Sequence, residues 1–94
     1  MTIGIQDRIR RTLKSSWQEL DGETVVLSLR EEKLIGFNAA AGRIWQLADG
    51  TRTIADIAGV LAAEFDAPAE RIQQDVLAFA LRLIERNLLE LSAS

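Results

Sequence analysis

The spacing of apolar residues changes once along this chain, at Asn38, from a repeat of two to the repeat of an α-helix. Before that residue, Val25, Leu27 and Leu29 occupy every second position, which is typical of a strand with one face buried. After it, apolar residues recur every three or four positions, which is typical of helices packed on a core. A sheet followed by helices is a fold of the α+β class.

Three antiparallel strands are expected before Asn38. Asp21-Gly22 is a strong hairpin signal, because a type I′ turn needs positive φ at both of its central positions. The predicted strands are residues 15–20, 24–29 and 33–37. In such a meander the third strand, Lys33 to Phe37, lies at an edge of the sheet and leaves backbone N–H and C=O groups unpaired.

Three helices are expected after the sheet. Asn38 is a good N-cap for the first helix, and Thr53 with Asp56 resembles a capping box at the start of the second. Pro68 suits the first turn of the third helix, and Asn87 can take the left-handed position that ends it. A three-stranded antiparallel sheet followed by three helices is related to the winged helix-turn-helix fold.

The third helix carries two neighbouring apolar stripes. They consist of Ile72, Val76, Phe79 and Leu83, and of Leu77, Leu81, Ile84 and Leu88. An ordinary surface helix buries one stripe only. The helix therefore either lies at the centre of the core or presents its second stripe to a partner.

A single domain is expected, because 94 residues are enough for one hydrophobic core and no more. Residues 1–12 mix isoleucines with charged residues and fit either a loose, flexible N-terminal arm or an extra strand. The domain itself is predicted over residues 13–91, followed by a short C-terminal tail over residues 92–94.

The composition argues against catalysis. The chain has no histidine, cysteine or tyrosine, which are side chains that proteins often tune for acid–base or nucleophilic chemistry. Its carboxylates do not have the spacing of a calcium-binding loop, and its glycines do not form a phosphate-binding pattern. Neither enzymatic activity nor a cofactor or metal site is expected.

Charge and hydropathy restrict the location and the partners. The formal net charge of −3 lacks the basic excess of most nucleic-acid-binding proteins. A local cluster of Arg8, Arg10, Arg11 and Lys14 fits three interpretations: a solvated tail, a contact to nucleic acid, or a contact to an acidic peptide. No apolar run approaches the roughly 20 residues that span a bilayer, and the N-terminus lacks the apolar region of a secretory signal. The expected location is the cytoplasm, with no membrane partner.

Two functions fit the pattern of residues. Winged helix-turn-helix folds often bind DNA through a recognition helix, so a DNA-binding regulator is one alternative. A strand edge beside an apolar helix also suits the capture of an extended peptide, because main-chain hydrogen bonds supply affinity and side-chain pockets supply specificity. The balanced charge and apolar stripes of the third helix favour peptide capture.

Residues spread over about 15–91 have an order and spacing shared with a known family. They are Gly36-Phe37-Asn38, Ala40, Ala41, Ile44-Trp45-Gln46-Leu47, Asp49-Gly50, Arg52-Thr53-Ile54-Ala55-Asp56-Ile57, Asp75-Val76, Phe79, Leu83 and Leu88-Leu89. On these residues the chain resembles the PqqD-like family of RiPP recognition elements. The resemblance implies a non-catalytic protein that binds the leader region of a ribosomally made precursor peptide and presents it to a modifying enzyme.

The resemblance also implies where the leader peptide binds. It would add as a further strand beside the third strand and against the third helix. The implied peptide-binding residues are Lys33, Leu34, Ile35, Gly36, Phe37, Asp75, Leu77, Ala78, Leu81 and Arg82.

One segment differs from the members that serve the PQQ pathway. Those members resemble one another in a Pro-Glu step before the third strand, where this chain has Arg30-Glu31-Glu32-Lys33. The sequence is therefore more similar to discrete leader-binding proteins of lasso-peptide clusters or of radical SAM enzymes, and the implied partner enzyme is a leader peptidase or a radical SAM enzyme. A homodimer is a further option. When no peptide is bound, the groove between the third strand and the third helix is expected to be open to a strand of a second copy or to the N-terminal arm.

Overall fold

The structure, a computed structural model, describes residues 3–13 and 15–92. Within these ranges the chain forms two three-stranded antiparallel sheets and three helices. The elements are β1 (Arg8–Arg11), β2 (Ser15–Leu20), β3 (Glu23–Ser28), β4 (Lys33–Phe37), α1 (Ala39–Leu47), β5 (Asp49–Thr53), α2 (Ile54–Phe65), α3 (Ala69–Glu85) and β6 (Leu89–Ser92). No helix in the described part of the chain is long and apolar enough to cross a membrane.

The first sheet has the order β2-β3-β4 and confirms the predicted antiparallel meander. Its hairpin turns at Asp21 and Gly22, whose φ angles of 53° and 82° are both in the left-handed region that the sequence predicts. β3 lies in the middle and pairs without interruption with both neighbours. β2 and β4 are therefore the two edges of this sheet.

The buried face of β3 is not its more apolar face. Thr24, Val26 and Ser28 are buried, whereas Leu27 is half-buried and Leu29 is 62% exposed. Small side chains suit the buried face of β3 because α1 packs directly on this face. The period of two therefore predicts the strand correctly, but the set of buried residues is decided by the fit between strand and helix.

The second sheet has the order β5-β1-β6 and was not predicted. Of the two interpretations of residues 1–12, the structure has the extra strand, because β1 lies between β5 and β6 and Ile9 is fully buried. The fold therefore begins before residue 13 and includes Ser92, while residues 93 and 94 lie outside the described residues. β5 and β6 were missed because each is short and pairs with a segment far away along the chain.

The three predicted helices are present, and three of their predicted capping signals are observed. Asn38 caps α1 by accepting a hydrogen bond from the Ala41 N–H at 2.8 Å. Thr53 and Asp56 form a reciprocal capping box at the start of α2. Asn87 adopts a φ of 60° just after α3. The winged helix-turn-helix arrangement is not confirmed, because the second sheet adds three strands that this arrangement does not require.

The third helix lies between the core and the surface. Its first stripe is buried apart from Phe79, which is half-buried. The residues Leu77, Leu81 and Ile84 of the second stripe are half-buried and pack against the edge of the core. The helix is therefore a core helix whose second stripe is only partly covered.

Candidate functional site

The edge strand β4 has one unpaired side in the described part of the chain. It pairs with β3 from Lys33, opposite Ser28, to Phe37, opposite Thr24, and with no other strand. Its second row of backbone groups is free to accept another strand. This edge is the strand that the sequence predicts as the peptide-binding one.

The C-terminal half of α3 lies beside β4 and is joined to it at both ends. At one end the rings of Phe37 and Phe79 meet edge to face with centroids 5.4 Å apart. At the other end Arg86 donates a 2.9 Å hydrogen bond to Glu31, in the turn just before β4. Because β4 runs from the Glu31 end to the Phe37 end, strand and helix run in opposite directions.

The facing parts of the two elements are of comparable length, and the side chains of Arg86 and Glu31 bridge α3 to the turn before β4. Seven helical steps from Phe79 to Arg86 cover about 10 Å, and four strand steps from Lys33 to Phe37 cover about 13 Å. Together they form the two walls of a groove, which we call the β4–α3 groove. Its strand wall is β4, and its helix wall is the side of α3 that carries Phe79.

The five predicted residues of α3 do not all lie on this side. Successive helical residues are about 100° apart, so Asp75 and Arg82 lie within about 60° of Phe79. Both are exposed, as is Ala78, which lies about 100° from Phe79 in the same direction around the helix. Leu77 and Leu81 lie about 160° from Phe79 on either side, where they are half-buried against the core. The structure thus brings three of the five predicted residues towards the groove.

The side chains of β4 alternate between two environments. Phe37 is buried and Ile35 is half-buried, so this face of the strand belongs to the core. Leu34 is 69% exposed on the opposite face. A Cβ atom added to Gly36 would meet no atom within 4 Å, so the space beside this residue is open. An added strand would therefore find the face of β4 that carries Leu34 and Gly36 accessible.

Charged groups lie along the helix wall and close one end of the groove. The hydrogen bond from Arg86 holds the pKa of Glu31 below its usual value, and the nearby charges of Arg86 and Lys33 act in the same direction. Among the residues described, Asp75 and Arg82 form no salt bridge. These two side chains are therefore available to a ligand in the groove.

Three groove residues were missed by the sequence-based prediction. They are Phe79, Glu31 and Arg86, none of which is among the peptide-binding residues implied by the family resemblance. Their position follows from the contact between β4 and α3. The only sequence signal was that Phe79 and Arg86 lie two helical turns apart on one side.

An unpaired edge strand with an amphipathic helix running alongside defines the class of small domains that can take up an extended peptide by strand addition. A family model described as "Coenzyme PQQ synthesis protein D (PqqD)" matches residues 23–89, from the start of β3 into β6. This range contains the whole β4–α3 groove. The chain belongs to the PqqD family.

Relatives in two bacteria carry the name PqqA binding protein. The protein of Gluconobacter oxydans is 45% identical over 58 residues, which are 62% of this chain and 60% of that protein. The protein of Xanthomonas oryzae pv. oryzae is 34% identical over 86 residues, which are 92% of this chain and 91% of that protein.

Solved structures share the fold. The structure of TbiB1 in complex with the TbiA(beta) leader peptide has a TM-score of 0.79 and 25% identity, and the match covers 90% of this chain and 99% of TbiB1. The solution structure of the PqqD part of Methylobacterium extorquens PqqCD, described as a RiPP recognition element, has a TM-score of 0.79 and 22% identity, with 95% of both chains covered. The predicted resemblance to the PqqD-like family is thereby confirmed for the family and for the fold.

Proposed function

We propose that this protein binds the leader region of a ribosomally made precursor peptide by strand addition to β4 and presents it to a modifying enzyme. The observation that carries the proposal is the unpaired edge of β4 with α3 running alongside it. Support also comes from relatives named for binding PqqA and from the similar structure of TbiB1, which holds a leader peptide. The protein acts in the cytoplasm as a binding module and not as a catalyst.

Main-chain hydrogen bonds to residues 33–37 would supply most of the affinity. The side chains of an added strand alternate between its two faces. Those on one face would meet the α3 wall at Phe79 and Arg82, and those on the other would lie beside Leu34. Of the residues implied by the family resemblance, we assign β4, Asp75, Ala78 and Arg82 to the groove, and Leu77 and Leu81 to the packing that holds α3 in place.

Presentation to an enzyme follows from tethering. A leader peptide held in the groove keeps the attached core peptide near any enzyme that binds this protein, which raises its effective concentration there. A leader peptidase and a radical SAM enzyme are the two partner classes that we propose. A homodimer in which a strand of a second copy fills the groove would compete with leader binding.

A winged-helix DNA-binding regulator fits the geometry less well. The exposed side of α3 carries Asp75 and Glu85 beside Arg82. Contacts to phosphate need a clear basic excess, which this side of the helix does not have.

The test is a titration of the leader peptide encoded beside the gene into ¹⁵N-labelled protein. We expect the largest amide shifts at residues 33–37 and along the side of α3 that carries Phe79, with small shifts in β2 at the opposite edge of the sheet. Binding with shifts confined to β2 would relocate the site. An absence of binding to any leader encoded nearby would contradict the proposed function.

A further inference from the structure

A second concave surface lies between the two sheets, at the C-terminal end of α3. It is an open cleft of about 1110 Å³ lined by residues 10–13 of β1 and its following turn, residues 28–30 after β3, and residues 84 and 86–91 at the end of α3 and in β6. We call it the basic cleft. No part of the function proposed above uses it.

The lining of the basic cleft is positively charged in a chain whose net charge is −3. Arg10, Arg11, Arg30 and Arg86 line it, and Glu90 is the one carboxylate among the lining residues. A local charge of this sign, on a protein of the opposite overall charge, favours a partner with acidic side chains.

Two of these arginines are committed to the fold. Arg11 donates hydrogen bonds of 2.7 and 2.9 Å to the carbonyl oxygens of Trp45 and Gln46 at the end of α1. Arg86 is held by Glu31.

The other two arginines remain available to a ligand. Arg10 pairs with Glu90 at 3.2 Å on the surface, and such exposed pairs are weak enough to be exchanged for another carboxylate. Arg30 donates to the carbonyl oxygen of Glu85 at 3.2 Å and forms no salt bridge within the described ranges.

Exposed leucines surround these arginines. Leu13, Leu29 and Leu91 all line the cleft, and each exposes more than a third of its surface. Scattered exposed leucines are normal on soluble proteins, but three around one basic cleft form a mixed apolar and cationic surface. The lining includes no aromatic side chain on which a nucleic-acid base could stack.

The basic cleft borders one end of the β4–α3 groove. Arg86 lines the cleft and at the same time closes the groove through Glu31. A partner bound in the cleft would therefore sit at the Lys33 end of a peptide bound along β4.

We infer that the basic cleft docks an acidic, leucine-bearing segment of the modifying enzyme. The identity of the partner rests on the proposed function. Its chemistry is inferred from the positive charge of the cleft and from the exposed leucines around it. Carboxylates of the segment would pair with Arg10 and Arg30, and its apolar side chains would cover Leu13, Leu29 and Leu91. Of the three interpretations of the N-terminal basic cluster, contact with an acidic peptide is the one that this geometry favours for Arg10, while Lys14 lies outside the described residues.

The test measures two affinities separately, that for the purified modifying enzyme encoded beside the gene and that for the leader peptide, by biolayer interferometry with the full chain. We expect Arg30→Glu and Leu29→Asp each to weaken enzyme binding about tenfold or more and to leave leader affinity unchanged. Arg71→Glu near the start of α3 and Leu20→Asp at the end of β2 are matched controls, because they make the same changes at exposed residues away from the cleft. Thermal melts of all four variants check the fold.

The outcomes separate the two proposals. Enzyme binding that is unchanged in both cleft variants, or absent in the unaltered protein, would overturn the docking inference whether or not the leader binds. Loss of enzyme binding in the cleft variants but not in the controls would support the docking inference. It would do so even if the leader failed to bind and the proposed function were wrong. An equal loss in the controls would show a general charge effect and would also count against the cleft.

Discussion

At the scale of single residues, Leu81 and Arg82 are neighbours in the sequence that the structure places on different sides of α3. Arg82 is exposed on the groove side, and Leu81 is half-buried on the far side. We expect Arg82→Ala to weaken leader binding roughly three- to tenfold, as for the loss of a typical hydrogen bond, with no change in stability. We expect Leu81→Ala to lower the free energy of unfolding by roughly 1–2 kcal/mol and to leave the leader affinity of the folded protein unchanged.

Calorimetric titration with the leader and urea denaturation of both variants check this pair. Each variant serves as the control for the other, since Arg82→Ala should change only the leader affinity and Leu81→Ala only the free energy of unfolding. If Leu81→Ala reduced affinity at unchanged stability, the leader would lie on the other side of α3.

The close approach of Gly42 in α1 to Thr24 in β3 explains why the buried face of β3 is its less apolar face. A Cβ atom added to Gly42 of α1 would lie 2.6 Å from the Oγ1 of Thr24. We expect Gly42→Ala to destabilise the fold by about 1–3 kcal/mol, because α1 would be pushed away from β3. Gly59→Ala in α2 is the matched control, since a Cβ there meets nothing within 4 Å and should stabilise the helix by up to about 1 kcal/mol.

Urea denaturation midpoints measure both changes. Equal stabilisation by the two alanines would show that α1 does not need to approach β3 so closely.

At the scale of elements, the start of α2 depends on a single carboxylate. The pKa of Asp56 is lowered, chiefly by the hydrogen bond that its carboxylate accepts from the Thr53 backbone N–H. A carboxyl group with a folded-state pKa below its unfolded value stabilises the fold at higher pH, and this contribution is lost as the pH falls through the folded-state pKa. The stabilisation therefore begins to be lost near the ordinary carboxyl value of 3.8, and the loss is complete once the pH is below the lowered folded-state pKa.

We expect Asp56→Ala to have a lower melting temperature than the unaltered protein at pH 7. The difference should shrink as the pH is lowered below the ordinary carboxyl value of 3.8 and through the lower folded-state pKa of Asp56. Asp75→Ala, which removes an exposed carboxylate without a salt bridge in the described residues, is the control and should leave the melting temperature unchanged at pH 7. A difference for Asp56→Ala that stayed constant with pH would mean that the cap acts through helix propensity and not through charge.

The sequence predicts those elements whose signals consist of residues that are close together along the chain. The hairpin at Asp21-Gly22, the cap at Asn38 and the capping box of α2 each depend on residues a few positions apart, and all three are present. β5 and β6 depend on pairing with β1, which lies about 40 and 80 residues away. Strands of four or five residues are too short to show a clear period, so nothing local distinguishes them from loops.

The candidate site was also predictable only in part: the sequence predicts its strand wall but not its helix wall. The edge strand follows from the order of the hairpins, and its bounds of Lys33 and Phe37 match the prediction. The helix wall does not follow from the sequence, because two apolar stripes on α3 leave its orientation undecided. The contacts of Phe79 and Arg86 decide which side faces β4, and they depend on the packing of the whole molecule.

At the scale of the whole molecule, β1 links parts that are far apart in the sequence. It pairs with β5 on one side and β6 on the other, so it joins the start of the domain to its middle and its end. Arg11, at the end of β1, also binds the last carbonyl groups of α1 and lies 5.2 Å from the centre of the Trp17 ring on β2. One short strand therefore connects the second sheet to α1 and to the first sheet.

A variant lacking residues 1–12 tests this role. We expect it to lose cooperative thermal unfolding, because β5 and β6 would have no partner strand and the buried side chain of Ile9 would be missing from the core. The single substitution Ile9→Ala should lower the free energy of unfolding by about 2–4 kcal/mol, as for other buried isoleucines, while Arg8→Ala, at a half-buried position on the same strand, should cost much less. Differential scanning calorimetry distinguishes the cases, and a shortened chain that melts as cooperatively as the full one would show that β1 is an accessory strand and that the fold is complete from residue 13.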